Sequence, residues 1–317
     1  MVLVILEEQN GRIKKSAIEA AGFASKLAQL SGMKVCGLCL GRTINVNELT
    51  GLGLDQIVQI EHADYLDSSQ WISIVAQAKE QLGSKFIVLS NNSLGKSISG
   101  GLSVHLKMGL ISNVVNFKSQ EGVLQFQKSV FSGKASAWYA FSDLNGIIAL
   151  MPNGFGIHKF DEKPIDSKVL DLKIPEPKIK LLDRKLIQGK TPLTEAEIVV
   201  SAGRGLKDPS NWYMVEELAD ILHATTACSR PVADAGWRPH HEHVGQTGVA
   251  IRPNVYIALG ISGAIQHLAG VNNSKKIFVI NKDPEAPFFK AADFGVCGDL
   301  FEILPKLNEA LRKSKMN

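Results

Sequence analysis

Cysteine is scarce in this sequence: Cys36, Cys39, Cys228 and Cys297 are the only four among 317 residues. So few in so long a chain exclude the disulfide framework of small secreted domains. Long apolar runs are missing as well, and no stretch approaches the ~18 consecutive apolar residues of a membrane helix. The first run, Val2–Leu6, is too short for a signal peptide, has no basic flank before it, and leads straight into Glu7 and Glu8. The expected setting is the bacterial cytoplasm, or the mitochondrial matrix after processing, with no membrane insertion. An excess of one charge is also missing. Lys and Arg total 35 against 31 acids, a net +4, and they are dispersed apart from Arg312, Lys313 and Lys315 in a basic tail. That leaves no electrostatic footprint for nucleic acid. Short-period repeats and low-complexity tracts are absent too.

What remains is an ordinary globular composition, 45% hydrophobic and 21% charged, able to bury a sizeable core. At ~100–200 residues per domain, the length predicts two domains. Val2–Leu6 reads as a strand and Ser16–Leu30 as a helix with Ile18, Ala21, Ala24 (or Ser25) and Ala28 on one stripe. Lys34–Leu40 is a second strand. Ser69–Leu82 is a helix with Ile72, Val75, Ala76 and Lys79 at helical spacing, and Phe86–Leu89 is a short buried strand. Alternation of this kind predicts parallel βαβ units. Further strands are expected between Val114 and Leu150. Periodicity then fades from about Phe160 to Glu195, where Pro164, Pro175, Pro177 and Pro192 stand among charges, which marks a linker or a strand crossing out of the first domain. The expected division is an N-terminal α/β domain over residues 1–190, including the linker from about 160, and a second α/β domain over 191–317.

The second domain restarts the alternation. Glu197–Ser201 is a strand, Gly203-Arg-Gly205 a tight loop, and Asn211–His223 a helix with Met214, Val215, Leu218, Ile221 and Leu222 on one face. Val255–Gly260 and Lys276–Ile280 are strands, and Asp299–Lys313 is a final helix.

Three motifs read as structural. Cys36-Gly-Leu-Cys39 lies on a strand, where residues i and i+3 face opposite sides, so the pair reads as buried cysteines rather than a chelating or redox dithiol. Gly95-Lys-Ser97 resembles the end of a phosphate-binding loop, but Ser90 stands where that loop needs its first glycine. His240, His241 and His243 follow Pro239 and read as a solvated loop, with nothing nearby to complete a zinc site.

The stronger signals are two strand-to-helix turns. Ser201-Ala-Gly-Arg-Gly205 lets backbones approach closely and presents a helix N-terminus that favours phosphate. After Tyr256-Ile-Ala-Leu-Gly260, Ser262 can cap a helix whose apolar stripe is Ile265 and Leu268. Gln266 and His267 then lie off that stripe, facing a ligand, although a satisfied core histidine is the plainer reading of His267 alone. Between the two turns lie Cys228-Ser-Arg-Pro231 and Val244-Gly-Gln-Thr-Gly248. The recurrence predicts a Rossmann-like domain built around a dinucleotide.

From Ala202 to Leu300 the chain resembles the flavin domain of electron transfer flavoprotein α-subunits almost end to end. The matching pieces are Gly203-Arg-Gly205, Ser229-Arg-Pro231, Asp234-Ala-Gly236, Val244–Gly248, Gly260–His267, Asn281-Lys-Asp-Pro284 and Asp299-Leu300. The N-terminal half matches mainly in its alternating pattern. The resemblance implies FAD, held in a cleft shared with a smaller β-subunit. It also implies a redox relay, not an enzyme, that takes electrons from dehydrogenases such as acyl-CoA dehydrogenases and passes them to a quinone reductase. By resemblance, Arg204, Ser229, Ser262, Gly263, Asn281 and Asp299 hold the dinucleotide and ribityl parts. Arg230, Gln246, Thr247, Gln266 and His267 surround the flavin end, while Val244, Gly245, Ala264, Ile265 and Leu300 belong to the same matched segments. Three features depart from the family: Val249 where Lys is common, the histidines of 238–243, and Gly95-Lys-Ser-Ile98. The rival readings are an NAD(P)-linked or bifurcating flavin oxidoreductase subunit and a non-redox nucleotide-binding protein.

Overall fold

A computed structural model describes all residues except 10, 42–43, 63–64, 132, 134, 184–190 and 317, and, for their side chains only, 48 and 315–316. The chain divides into two compact units, Met1–Leu186 and Ile187–Asn317. The expected boundary at Lys190 lies outside the described residues. No helix among the described residues is long and apolar enough to cross a membrane.

The first unit contains β1 (Val2–Gln9), β2 (Arg12–Ile13), α1 (Lys15–Ser31), β3 (Val35–Gly41), β4 (Gln56–Glu61), α2 (Ser68–Leu82), β5 (Phe86–Ser90), α3 (Ser93–Leu106), β6 (Leu110–Gln120), β7 (Val123–Val130), β8 (Ala135–Tyr139), β9 (Gly146–Leu150) and β10 (Asp166–Ser167). Its sheet runs β10-β4-β3-β1-β5-β9-β6-β7-β8, with β2 off the path beside β1. Pairing is parallel from β10 to β6 and antiparallel across β6, β7 and β8. The apolar runs Val2–Leu6, Phe86–Leu89 and Ile147–Leu150 are buried throughout, as expected of strands covered on both faces. Cys36 and Cys39 pack into different cores, one on each side of the sheet. Burial pushes their thiols up to about 11 and about 12, so neither is a thiolate at neutral pH.

Helix α1 is buried on more sides than one stripe predicts, because the chain after β9 returns over it. The buried Glu19 carboxylate accepts the backbone N–H groups of Asn153, Phe155 and Gly156 at 2.6–2.8 Å. A carboxylate satisfied by three amides is an acceptable buried charge. On α2 the buried residues are Gln70, Trp71, Ile74, Val75, Ala76 and Ala78, with Ile72 packed at the edge of the core, so Ile72, Val75 and Ala76 of the expected stripe do face inward and the buried face is broader than that stripe. The glutamines of α2 hold the linker. Gln70, Gln77 and Gln81 donate to the carbonyls of Pro175, Lys173 and Asp171, and Gln77 also accepts from Lys173 N–H. Asp67 caps α2 and accepts from Lys178 N–H as well. The Ser69 hydroxyl above all, then the Gln70, Lys178 and Ser69 N–H groups, hold its carboxyl down to about 2. Gly95 serves packing: a Cβ there would stand 1.8 Å from the Ser90 carbonyl oxygen, and its N–H donates to Asn92 Oδ1. The residue therefore lets α3, capped by Asn92, pack directly on the end of β5.

The second unit contains β11 (Ile198–Ala202), α4 (Tyr213–Leu222), β12 (Thr225–Cys228), α5 (Arg230–Asp234), β13 (Val255–Leu259), α6 (Ile265–Val271), β14 (Lys276–Asn281), β15 (Phe294–Cys297) and α7 (Leu300–Met316). The sheet is parallel in the order β12-β11-β13-β14-β15. This doubly wound order changes winding direction between β11 and β13, and ligands bind such sheets at the carboxyl ends of the strands beside that point. One core joins α4 and α7 to one face of the sheet; the other gathers Tyr256, Val271, Val279 and Phe288 on the opposite face.

Candidate functional site

The ends of β11 and β13 meet backbone to backbone. Gly203 N–H donates to the Leu259 carbonyl at 2.9 Å and Gly205 N–H to the Gly260 carbonyl at 3.2 Å. Gly260 sits at φ +59°. A Cβ on Gly203 would lie 2.4 Å from the Gly260 oxygen, and one on Gly260 would lie 2.8 Å from Gly205 Cα and from Leu300 Cδ1. Only glycine permits this approach. It opens a cleft of about 460 Å³ above the switch point.

The next strand end supplies the opposite wall. Ser229 follows β12, its N–H donates to the Ala202 carbonyl, and its own carbonyl accepts from Val232 and Ala233. Its side chain caps nothing. Arg230 and Pro231 follow at the start of α5. The Val244–Gly248 loop closes the third side. It is fastened to β12 by Val244 N–H on the Cys228 carbonyl, and to α6 by Gln246 N–H on the Gln266 carbonyl at 2.7 Å. A Cβ on Gly270 would stand 2.6 Å from Gly245 Cα, so glycine lets α6 lie against this loop.

Eleven of the expected residues line this cleft: Arg204, Ser229, Arg230, Val244, Gly245, Gln246, Thr247, Ser262, Ala264, Gln266 and His267. Five do not. Asn281 is buried at the end of β14, donates to the Ile261 carbonyl at 3.0 Å and accepts from Asp283 N–H. It shapes the 260–264 turn from behind. Asp299 accepts from Phe301 N–H at 2.8 Å at the start of α7. Leu300 packs beneath Gly260. Gly263, at φ +82°, fits against Phe288. Ile265 is 70% exposed at the start of α6.

Two local expectations differ from what is found. Ser262 does not cap α6: the helix begins at Ile265, and the Ser262 carbonyl accepts from Phe288 N–H. The buried residues are His267, Gly270 and Val271; Leu268 packs against the core at its edge, as expected, whereas Ile265 is turned outward. The positive-φ turns at Gly260 and Gly263 delay the helix and rotate its phase. Because α5 and α6 have only five and seven residues, their macrodipoles are short. Side chains therefore carry most of any anion binding here.

His267 is both a core histidine and a cleft residue. It is 8% exposed, and its Nε2 shares a 2.7 Å hydrogen bond with the fully buried Tyr256 hydroxyl. Burial, and then the neighbouring His243, push its pKa down to about 4. Burial also raises the Tyr256 phenol above its ordinary range. At neutral pH this pair is uncharged, so His267 offers the cleft a hydrogen-bonding ring and not a cation. The cations are Arg204 and Arg230, both exposed, with Arg230 Nε 3.2 Å from Asp234 Oδ2.

Sequence reasoning missed His243, placing it in a solvated loop. Here it is 7% exposed and lines the cleft. The Arg238 guanidinium grips Glu242 with two hydrogen bonds, at 2.8 and 2.6 Å, and lies over Trp212, which anchors the turn carrying His243. The residue pattern held no signal for this, because the burial depends on Gly245 and Gly248 coming under the ring. No cluster of His, Cys, Asp or Glu suited to a metal ion occurs among the described residues.

The lining fits a nucleotide cofactor. The Arg204 guanidinium, the Ser229, Thr247 and Ser262 hydroxyls, and the Gln246 and Gln266 amides all border the cleft. None of these groups makes a hydrogen bond to protein among the described residues. Such a set offers cationic and neutral donors for phosphates and both donors and acceptors for a heterocycle edge.

Residues 2–168 match the family model described as the electron transfer flavoprotein domain. Residues 192–272 match the one described as the electron transfer flavoprotein FAD-binding domain. The chain is 33% identical to the electron transfer flavoprotein subunit alpha of Thermoanaerobacterium thermosaccharolyticum, covering 99% of this chain and 98% of that one. It is 33% identical to the subunit alpha of Bacillus subtilis, covering 98% and 97%. With the mitochondrial subunit alpha of Dictyostelium discoideum it shares 33% identity over 99% and 92%.

Proposed function

The chain belongs to the electron transfer flavoprotein α-subunit family, and from that premise we propose that residues 191–317 hold FAD in the cleft above β11 and β13, in a site completed by a β-subunit. The observation that carries this reading is the set of unpaired donors and acceptors around the glycine contact of Gly203, Gly205 and Gly260. The cleft volume lies within the ~300–1,000 Å³ of ordinary ligand sites. Arg204, Arg230, Gln246, Thr247, Ser262 and Gln266 are exposed in this chain alone, which leaves one side of a bound dinucleotide for a partner to cover.

FAD would supply the capacity to accept and release electrons one or two at a time; the chain's residues bind and tune it. Arg204 and the Ser229 and Ser262 hydroxyls would hold the phosphates and ribityl chain. Gln246, Thr247 and Gln266 would meet the polar edge of the flavin, and Arg230 would offer positive charge to any state that gains negative charge. His267, fixed by Tyr256, would present its remaining ring nitrogen. The protein is a carrier with no substrate chemistry of its own. Its donors are dehydrogenases of the acyl-CoA class and its acceptor is a quinone reductase.

The test is to add an acyl-CoA dehydrogenase and its substrate anaerobically to the complex of this chain with its β-subunit. Stoichiometric bleaching of the flavin band is expected. Bleaching by NADH alone, with none from the dehydrogenase, would replace this donor assignment with a pyridine-nucleotide one.

A further inference from the structure

We propose that His243 is a second histidine of the flavin cleft, one that takes up a proton when the flavin gains an electron and so makes the carrier's potential depend on pH. The inference rests on the reading that this cleft holds FAD.

His243 borders the cleft together with Arg230 and His267. Its ring lies on the loop that carries Gln246 and Thr247. A Cβ on Gly248 would come within 2.9 Å of Nδ1, and one on Gly245 within 3.4 Å of Nε2. The two histidines differ in their bonding. His267 engages Nε2 with Tyr256, whereas neither ring nitrogen of His243 has a protein hydrogen-bond partner among the described residues. His243 is therefore free to gain a proton without breaking an internal bond.

The charged and titratable groups around it come from every neighbouring element. Arg230 and Asp234 stand on α5, His240 on its own turn, and His267 on α6. Cys228 ends β12, beside which His243 forms a bridge; its thiol is pushed up to about 12 and stays neutral. Glu242 is occupied by Arg238. Burial is the largest influence and lowers the proton affinity of His243; Arg230 and His240 act in the same sense, and Asp234 opposes them. With oxidised, neutral flavin the ring is thus uncharged at neutral pH. A negative charge added to the cleft acts in the same direction as Asp234.

The step balances simply. One electron from the donor enters the flavin, one proton from water enters the His243 ring, and both leave on reoxidation. The sign follows. Reduction raises the proton affinity of His243, so protons favour the reduced state, and the potential rises as pH falls between the two affinities. Above both affinities the ring is neutral in either redox state, and below both it is charged in either state. In those ranges it contributes no slope.

The experiment is a spectroelectrochemical titration of the FAD-loaded heterodimer, wild type and His243→Gln, across about pH 5 to about pH 9. Glutamine keeps a polar side chain there without a titrating ring. A tenfold tighter proton affinity in the reduced state adds ~59 mV to the wild-type span, and at least this excess over the variant is expected. The two proteins should converge at the alkaline end. In parallel, the ring C–H resonance of His243, assigned by its loss in the variant, should titrate at higher pH in the reduced protein than in the oxidised one. Equal spans in the two proteins, or an unmoved resonance, would overturn the proposal. If that variant fails to fold, His243→Asn takes its place for both the span and the assignment. A colourless wild-type complex would instead overturn the reading of the cleft itself.

Discussion

Replacing Gly260 by valine is expected to strip the protein of flavin while leaving the N-terminal unit folded. The residue sits at φ +59°, where an L side chain costs ~1–2 kcal/mol. Its Cβ would also meet Gly205 Cα and Leu300 Cδ1 at 2.8 Å, and overpacking of this kind costs ~1–3 kcal/mol. The least costly relief is to part the ends of β11 and β13, which is the place where the cleft opens. If the combined strain is taken from binding, FAD affinity falls at least ~30-fold, at 1.4 kcal/mol per tenfold. Flavin content per heterodimer and the Kd from flavin fluorescence measure this, and circular dichroism checks the fold. Gly260→Ala should fall in between, since it carries the φ penalty with less bulk. Wild-type affinity in the valine variant would show that the glycine contact does not shape the site.

Arg230→Ala is expected to lower the potential of the first electron added to the flavin, on the order of 50 mV. Two unit charges ~5 Å apart interact by roughly 3 kcal/mol at an effective dielectric of ~20, and ~59 mV corresponds to tenfold for one electron. The guanidinium is well exposed and shares its charge with Asp234, so solvent and the partner carboxylate reduce the full figure severalfold. The same geometry gives a control of opposite sign. Asp234→Asn removes the offsetting negative charge and should raise the potential. Arg230→Lys should recover part of the loss, because it keeps the charge but not the planar fork. Titration at equal FAD occupancy measures all three. An unchanged potential in the alanine variant would reduce Arg230 to a binding or structural residue.

Much of the second unit was legible because its central strands are apolar runs that end at glycine or at a polar turn: Ile198–Ala202, Val255–Leu259 and Lys276–Asn281. The flanking strands were not. Thr225–Cys228 has only four residues and no alternation to mark it, although three of them are buried, and Phe294–Cys297 is exposed along its length, so neither shows a hydrophobic period in the sequence. Both exist because a longer neighbour templates them. The site was legible wherever a motif sits at a strand end, as at Ser229 and at Gln246. It was not legible where tertiary packing decides. His243 is polar in sequence and buried in space. Asn281, at the end of β14, and Asp299, just before α7, make hydrogen bonds to the backbone that shapes the adjoining loops. In the first unit, nothing in the spacing of the three glutamines of α2 marks the linker that lies along them.

The claim that this chain forms most, but not all, of a flavin site is tested most directly by its absorption spectrum with and without the β-subunit. The complex should purify yellow as a 1:1 heterodimer with FAD bound in this chain's cleft, and the flavin should be lost in the Gly260→Val variant. The chain purified alone should hold FAD weakly and release it on gel filtration. Stoichiometric, tightly held FAD on the isolated chain would contradict the shared site, and a colourless heterodimer after incubation with FAD would contradict the flavin site altogether.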